Sequence, residues 1–331
     1  MTKTRTENDL TILIYDRKLE RVSRDFDSFA RSFKRRYAVD SGEALKDLSA
    51  FPEHVLKLSR LGIDVPARRM TVLAAGGGTV GDFAGFFASV YKRGVKLVHM
   101  PSTWLAALDS SHGGKTALNV NGVKNQIGTF YPSEKTIFDR GLLMSQPPER
   151  VQDAMGELAK IAMIDGGSWV KQLEASELQG GDLLWQFLKP AVDSKMRVVN
   201  RDPLEKTGAR QILNLGHTLA HVLEAETSIS HGDAVAQGLF FALEFSLSRG
   251  DLSEPAFERA MSLMAHLGLV PRLPKKKISA ARLTTLLLQD KKRDQAKSVT
   301  FVFLKRFGKC ERREVLVTAL VREAQRQGWA K

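Results

Sequence analysis

Cysteine is almost absent: Cys310 is the only one in 331 residues. That excludes an intrachain disulfide framework and a thiolate-bound metal cluster, and it fits a reducing compartment. No run of about 18 apolar residues occurs, so no transmembrane helix is expected. The opening MTKTRTENDL is polar and mixed in charge, without the apolar stretch of a signal peptide. Internal repeats and low-complexity linkers are missing too. The expectation is a soluble, cytoplasmic protein with no membrane partner.

An apolar fraction of 43% suits a chain that buries a real core. The length suits two domains of ordinary size. A net charge of +13 raises the question of nucleic acid. The cations, however, are spread along the chain. Their densest runs, Arg35-Arg36, Lys275-Lys276-Lys277 and Lys291-Lys292-Arg293, are short and carry no interleaved aromatics. Such runs read as solvated surface, and the excess charge as suited to an anionic small molecule. No nucleic-acid partner is expected.

The first half alternates apolar runs at 11–15, 71–75 and 95–100 with amphipathic stretches at 45–61 and 81–91. Strands alternating with helices argue for a parallel α/β sheet. After Pro147-Pro148 helical periodicity dominates, at 149–165, 182–200, 210–226, 232–249, 254–267 and 278–290. One strand or hairpin at 299–304 interrupts it. The fold class is therefore an α/β, Rossmann-like N-terminal domain, 1–148, followed by a mostly α-helical C-terminal domain, 149–331. That arrangement predicts a site in the cleft between the two.

Gly76, Gly78 and Gly81 fall in G-x-G-x-x-G spacing where a strand gives way to a helix. Backbone N–H groups bare of side chains can approach a pyrophosphate there, and the helix N-terminus favours its charge. No acidic residue ends the next strand, so a ribose contact must come from elsewhere. Downstream, Asp109 to Thr116 and then Lys124-Asn125 form a run dense in small, polar and cationic groups. It reads as a ligand loop, with Gly113-Gly114 for close approach and Lys115 and Lys124 as point charges.

His217 and His221 sit four apart on one helical face, and His231 follows ten residues later. Imidazoles with a carboxylate and an open position make a zinc-type catalytic centre. Spacing alone selects His217 and His221 as the pair. It leaves Glu157, Glu224, Glu226 and Asp233 open as the carboxylate.

Seven blocks, in order, resemble the 3-dehydroquinate synthase family of sugar phosphate cyclases: GGGTVGDFAGFFASVYKRG, PSTWLAALDSSHGGKTALN, VKNQIGTFYP, GELAKIAMI, LNLGHTLAHVLEAE, HGDAV and QDKKR. The likeness runs from about residue 11 through nearly the whole chain. It implies a dehydroquinate synthase-like fold and a lyase of the shikimate pathway, with NAD, one divalent metal (zinc or cobalt) and a homodimeric assembly. The substrate implied is 3-deoxy-D-arabino-heptulosonate 7-phosphate.

The resemblance also assigns residues. It implies metal ligands Glu157, His217 and His231, with His221 facing substrate instead. Lys115, Asn125, Lys160 and His221 are implied as catalytic. Asp109, Lys195, Arg210, Asn214 and Lys292 are implied as substrate contacts, and Arg93 as an arginine reaching the phosphate from a neighbouring subunit. For NAD it implies Asp16, Glu43, Lys46, Gly76, Gly77, Gly78, Val80, Gly81, Asp82, Ser102, Thr103, Asp109, Lys124 and Ser145. This chain departs from the pattern at Lys18, His112, Gly156 and Asp233, none of them an implied ligand or substrate cation.

Overall fold

The computed structural model describes residues 8–274, 276–289 and 297–331. Lys292 and its neighbours at 291 and 293 lie outside those residues. The chain divides into two compact units, the first ending at Arg150 and the second beginning at Val151. No described helix is long and apolar enough to cross a membrane.

In the first unit the strands are β1 (Thr11–Asp16), β2 (Arg35–Val39), β3 (Thr71–Gly76), β4 (Lys96–Pro101), β5 (Lys115–Val120), β6 (Val123–Phe130) and β7 (Lys135–Thr136). Five of them make a parallel sheet in the order β2-β1-β3-β4-β7. β1 is buried along its whole length because helices cover both faces. Ile12 and Ile14 pack with Phe83 and Phe87 on one side, while Leu13 and Tyr15 pack with Phe26 and Val98 on the other. Each such side chain contributes about 1.5–3 kcal/mol through burial.

Three sequence expectations fail here, for local reasons. The stretch 45–61 is not one helix. Glu43–Lys46 is a short 3₁₀ turn, and Asp47 Oδ1 then accepts the Ser49 N–H at 2.8 Å, a side-chain turn that competes with helix. The helix begins at Phe51, with Pro52 in its first turn. Arg35 is not solvated surface: it is buried in β2, and its guanidinium donates to the Leu61 carbonyl and pairs with Asp64, both at 2.7 Å. Nor is the segment from Asp109 to Asn125 only a loop. Ala106–Ser110 is a π-helical turn, and β5 and β6 form an antiparallel hairpin. Its turn is Asn121-Gly122, both at positive φ (50° and 76°), the backbone that a two-residue hairpin requires.

The second unit is mostly helical, with principal helices Pro148–Asp165, Gly180–Arg201, His217–Glu226, His231–Ser248, Glu254–His266, Ala280–Gln289 and Val317–Arg326. The hairpin of β8 (Ser298–Arg306) and β9 (Lys309–Leu316) packs on the His231–Ser248 helix, where Phe245 meets Phe301 and Phe303 at 5.3 Å between ring centroids. The stretch 210–226 is also broken. Ala209–Asn214 is 3₁₀, Gly216 takes φ +82°, and a new helix starts at His217.

Candidate functional site

Two helix crossings build the metal-binding geometry in the second unit, and both are made by glycine. A Cβ on Gly232 would lie 1.9 Å from the Asp153 carbonyl oxygen, and one on Gly156 would lie 2.8 Å from the Gly232 carbonyl oxygen. The His231–Ser248 helix therefore touches the Pro148–Asp165 helix backbone to backbone. Six residues along, a Cβ on Gly238 would lie 1.9 Å from the Gly216 carbonyl oxygen, immediately before His217. Ser230 caps the His231–Ser248 helix by accepting the Asp233 N–H, and its hydroxyl donates to Asp153. One helix is thus pinned to both of its neighbours, and each of the three carries one donor.

Those donors converge. Glu157 Oε1 lies 3.6 Å from His217 Nε2 and 3.6 Å from His231 Nε2, and one ligand atom from each residue falls within 4.8 Å of the others. A tetrahedral ion with bonds of about 2.1 Å sets its ligand atoms about 3.4 Å apart, so the three residues fit a divalent cation. His221 stands outside this set: it is exposed, its ring centroid 5.6 Å from that of His217. The pair chosen from spacing is therefore not the pair that meets Glu157. Glu224 contacts His231 Nδ1 instead of joining the set, and Glu226 and Asp233 pair with Arg282 and Arg272.

Glu157 is fully buried and its Oε2 is held at 2.5 Å by Lys160 Nζ, one turn along the same helix. The two imidazoles diverge electrostatically. Burial, and then the Lys160 charge, push His217 down to about 3. Burial also pulls His231 down, but the neighbouring carboxylates of Glu157 and Glu224 outweigh that and raise it to about 10.

A cavity of about 240 Å³ adjoins the centre, with Asn214, His217 and His221 among its lining residues. Lys195 and Arg210 are both buried in this unit. Arg210 is held by Asp202, a residue that sequence reasoning missed. Asp202 Oδ1 accepts the Lys206 N–H at 2.8 Å and Oδ2 the Arg210 N–H at 3.4 Å, so one buried carboxylate organises the whole turn. An Asp ahead of a polar, glycine-containing stretch was the available signal.

In the first unit the order β2-β1-β3 reverses direction about β1, which makes the carboxyl ends of β1 and β3 a topological switch point. Asp16 ends β1, its Oδ1 accepting the Lys18 N–H at 3.0 Å. Gly76, Gly77 and Gly78 end β3 and open the Gly78–Val90 helix, which no side chain caps, so its first N–H groups are left to solvent or a ligand. Gly76 and Val80 are in contact, since a Cβ on Gly76 would lie 2.7 Å from that of Val80. Gly77 and Gly78 face Thr103 and Ser110 closely enough that a Cβ would crowd both. Ser102 donates its N–H to the Gly76 carbonyl at 2.9 Å. This bare helix start, at the edge where α/β sheets bind ligands, fits a pyrophosphate.

The remaining polar residues of the first unit largely meet one another. Buried Lys46 donates to Asp82 Oδ2 and to Asn125 Oδ1, both at 2.6 Å. Glu43 accepts from Asn119 Nδ2 at 2.7 Å, and Asn119 Oδ1 accepts the Asn125 N–H at 2.9 Å. Burial raises the Asp82 carboxyl, and Lys46 opposes the rise. Asp109 lies in the π-helical turn, Lys115 opens β5 on the surface, Lys124 is exposed on β6, and Ser145 donates to the Leu142 carbonyl at 2.7 Å. Arg93 is exposed at φ +64°, next to Lys92 at +49°, a strained pair that Lys92 anchors by donating to the Gly62 carbonyl at 2.8 Å.

Residues 36–153 match the family model 3-dehydroquinate synthase N-terminal, and residues 154–293 match 3-dehydroquinate synthase C-terminal. The 3-dehydroquinate synthase of Thermoplasma volcanium is 37% identical over 271 residues, which cover 81% of this chain and 74% of the relative. That of Legionella pneumophila (strain Lens) is 37% identical over 250 residues, 73% of this chain and 67% of the relative. Among solved structures, 2-deoxy-scyllo-inosose synthase complexed with carbaglucose-6-phosphate, NAD+ and Co2+ matches with a TM-score of 0.83 at 26% identity, covering 98% of this chain and 92% of that one.

Proposed function

The chain belongs to the 3-dehydroquinate synthase family, and from that membership we propose that it converts 3-deoxy-D-arabino-heptulosonate 7-phosphate to 3-dehydroquinate and phosphate. The observation that carries this reading is the approach of Glu157 Oε1 to 3.6 Å from both His217 Nε2 and His231 Nε2. A nicotinamide cofactor supplies reversible hydride transfer, and a divalent cation supplies Lewis acidity at the reacting hydroxyls.

In this proposal Glu157, His217 and His231 hold the cation. Lys160 holds the second carboxylate oxygen in a buried ion pair, so Oε1 stays turned toward the imidazoles. His221, exposed on the cavity wall, exchanges a proton with substrate, and Asn214 orients it. Buried Lys195 and Arg210 offset the negative charge of carboxylate and phosphate. Lys115 is assigned as a further cation for these groups, and Asn125 and Asp109 as hydrogen-bonding contacts to substrate hydroxyls. The backbone at Gly76 to Asp82, with Asp16, Ser102, Thr103, Lys124 and Ser145 as further contacts, receives the dinucleotide. Lys46 and Glu43 serve it by holding Asp82 and Asn119. Arg93, exposed on a strained turn, reaches the substrate phosphate of a second copy, which makes a cytoplasmic homodimer part of the proposal.

One second reading has an observation behind it, the likeness to 2-deoxy-scyllo-inosose synthase. Arg210, a buried cation, favours a substrate that bears a carboxylate. The test is phosphate release by the metal-loaded protein. Release from the heptulosonate phosphate should need both metal and NAD, with NAD substoichiometric to product. Release from glucose 6-phosphate instead would establish the second reading, and reduced cofactor accumulating one-for-one with product would mark a dehydrogenase.

A further inference from the structure

Each imidazole of the metal centre has a second nitrogen, and the structure shows where each one goes. His217 Nδ1 faces the Leu215 carbonyl oxygen at 3.3 Å, and His231 Nδ1 faces Glu224 Oε1 at 3.1 Å. A neutral acceptor thus backs one ring and a carboxylate backs the other. Glu224 sits seven residues after His217 on the same helix, two turns on, and therefore on the same face. The helix that presents His217 also reaches across to the ring presented by its neighbour. His231 is the more exposed of the two rings, with 34% of its side chain accessible against 14% for His217, so packing alone holds it less firmly.

We propose that Glu224 is the positioning residue of the metal centre. It accepts the Nδ1 proton of His231, keeps that proton off Nε2, and turns the Nε2 lone pair toward Glu157. A carboxylate behind a ligating imidazole also raises its basicity, and loss of such a partner weakens metal binding by about 10–100-fold. Glu224 is not a fourth ligand, because the group of converging donor atoms is Glu157, His217 and His231. The inference rests on the metal reading proposed above.

The experiment loads Co2+ into the purified full chain and measures its dissociation constant by chelator competition, together with its visible absorption spectrum. Wild type, Glu224→Gln and Glu224→Ala are compared. Gln keeps an acceptor oxygen but loses the charge, so affinity should fall in the order wild type, Gln, Ala, by about 10–100-fold for Ala. Stoichiometry at saturating Co2+ should stay at one ion per chain, with an altered spectrum in the Ala variant. Affinities within twofold of wild type in both variants would overturn the positioning role. So would complete loss of Co2+ from the near-isosteric Gln variant, which would make Glu224 a ligand itself. If wild type takes up no Co2+ at all, it is the metal reading that fails, and that result is distinct from either of the others.

Discussion

The two units hold their polar residues in opposite ways. In the second, Glu157, His217 and His231 come from three helices and point at one another across 3.6 Å gaps, a spacing too long for hydrogen bonds and suited to an ion. In the first, Lys46, Asp82 and Asn125 meet directly at 2.6 Å, as do Glu43 and Asn119 at 2.7 Å. One set is held apart by helix packing and leaves room for an ion. The other is already satisfied and presents a backbone edge. In the proposed function, a site for a cation would be built by side chains that packing keeps separate, and a site for a pyrophosphate by backbone that side chains support.

That contrast is most easily broken at Gly232. Its replacement by Ala puts a methyl group 1.9 Å from the Asp153 carbonyl oxygen, and no side chain can move to relieve it. Overpacking costs about 1–3 kcal/mol and more where backbone must shift, so the expected loss is at or above the top of that range. The helices should part and the three donors with them. Thermal unfolding and metal content would both fall. Normal metal stoichiometry in a normally stable Gly232→Ala protein would mean that the crossing does not set the centre.

Lys46→Met tests the other unit. Removing one partner of a buried ion pair costs about 3–5 kcal/mol when the charge left behind is fully buried. The Asp82 side chain is 23% accessible, so the lower end applies. Burial already raises the Asp82 carboxyl above its ordinary value, and without Lys46 it should rise further. A carboxyl raised in the folded state binds its proton more tightly there than in the unfolded chain, so stability falls as pH rises. The deficit of the variant should therefore shrink as pH is lowered, and denaturant unfolding at several pH values checks this. The metal affinity should not change. A metal defect in Lys46→Met would erase the distinction between the two units.

How much of this was legible beforehand also differs between the units. β1, β3 and β4 stand out because parallel strands covered on both faces read as unbroken apolar runs, and the long helices stand out by their periodicity. β2 does not, since Arg35 and Arg36 look like surface until Asp64 and two carbonyl acceptors are brought to Arg35 by the fold. The β5–β6 hairpin carried a usable signal in Asn121-Gly122, masked by the cluster of site-like residues around it. At the metal centre, i to i+4 spacing promotes His221, yet the donors that converge lie on three separate helices. Only packing decides that, and its agents are Gly216, Gly232 and Gly238, which no periodicity marks. The role of Glu224 was equally out of reach, because it depends on which nitrogen of His231 faces it.

The smallest expected effect concerns the third glycine of the G-x-G-x-x-G motif. Motif reasoning treats Gly76, Gly78 and Gly81 alike, but the structure does not. A Cβ on Gly76 would meet Val80 at 2.7 Å, whereas one on Gly81 would rest 3.5 Å from the His99 ring, an ordinary contact. Gly81 also lies inside the Gly78–Val90 helix at an unremarkable φ, where Ala is the better helix former by about 0.5–1 kcal/mol. Gly81→Ala should therefore leave stability unchanged or slightly improved, and should shift the Michaelis constant for NAD by less than about twofold, since no pyrophosphate-facing N–H is lost. Gly76→Ala in the same assay should do worse on both counts. A tenfold rise in that constant for Gly81→Ala, at unchanged stability, would show that the dinucleotide approaches the helix a turn deeper than its open N-terminus. The supporting side chains of the first unit would then have to be read as ligand contacts after all.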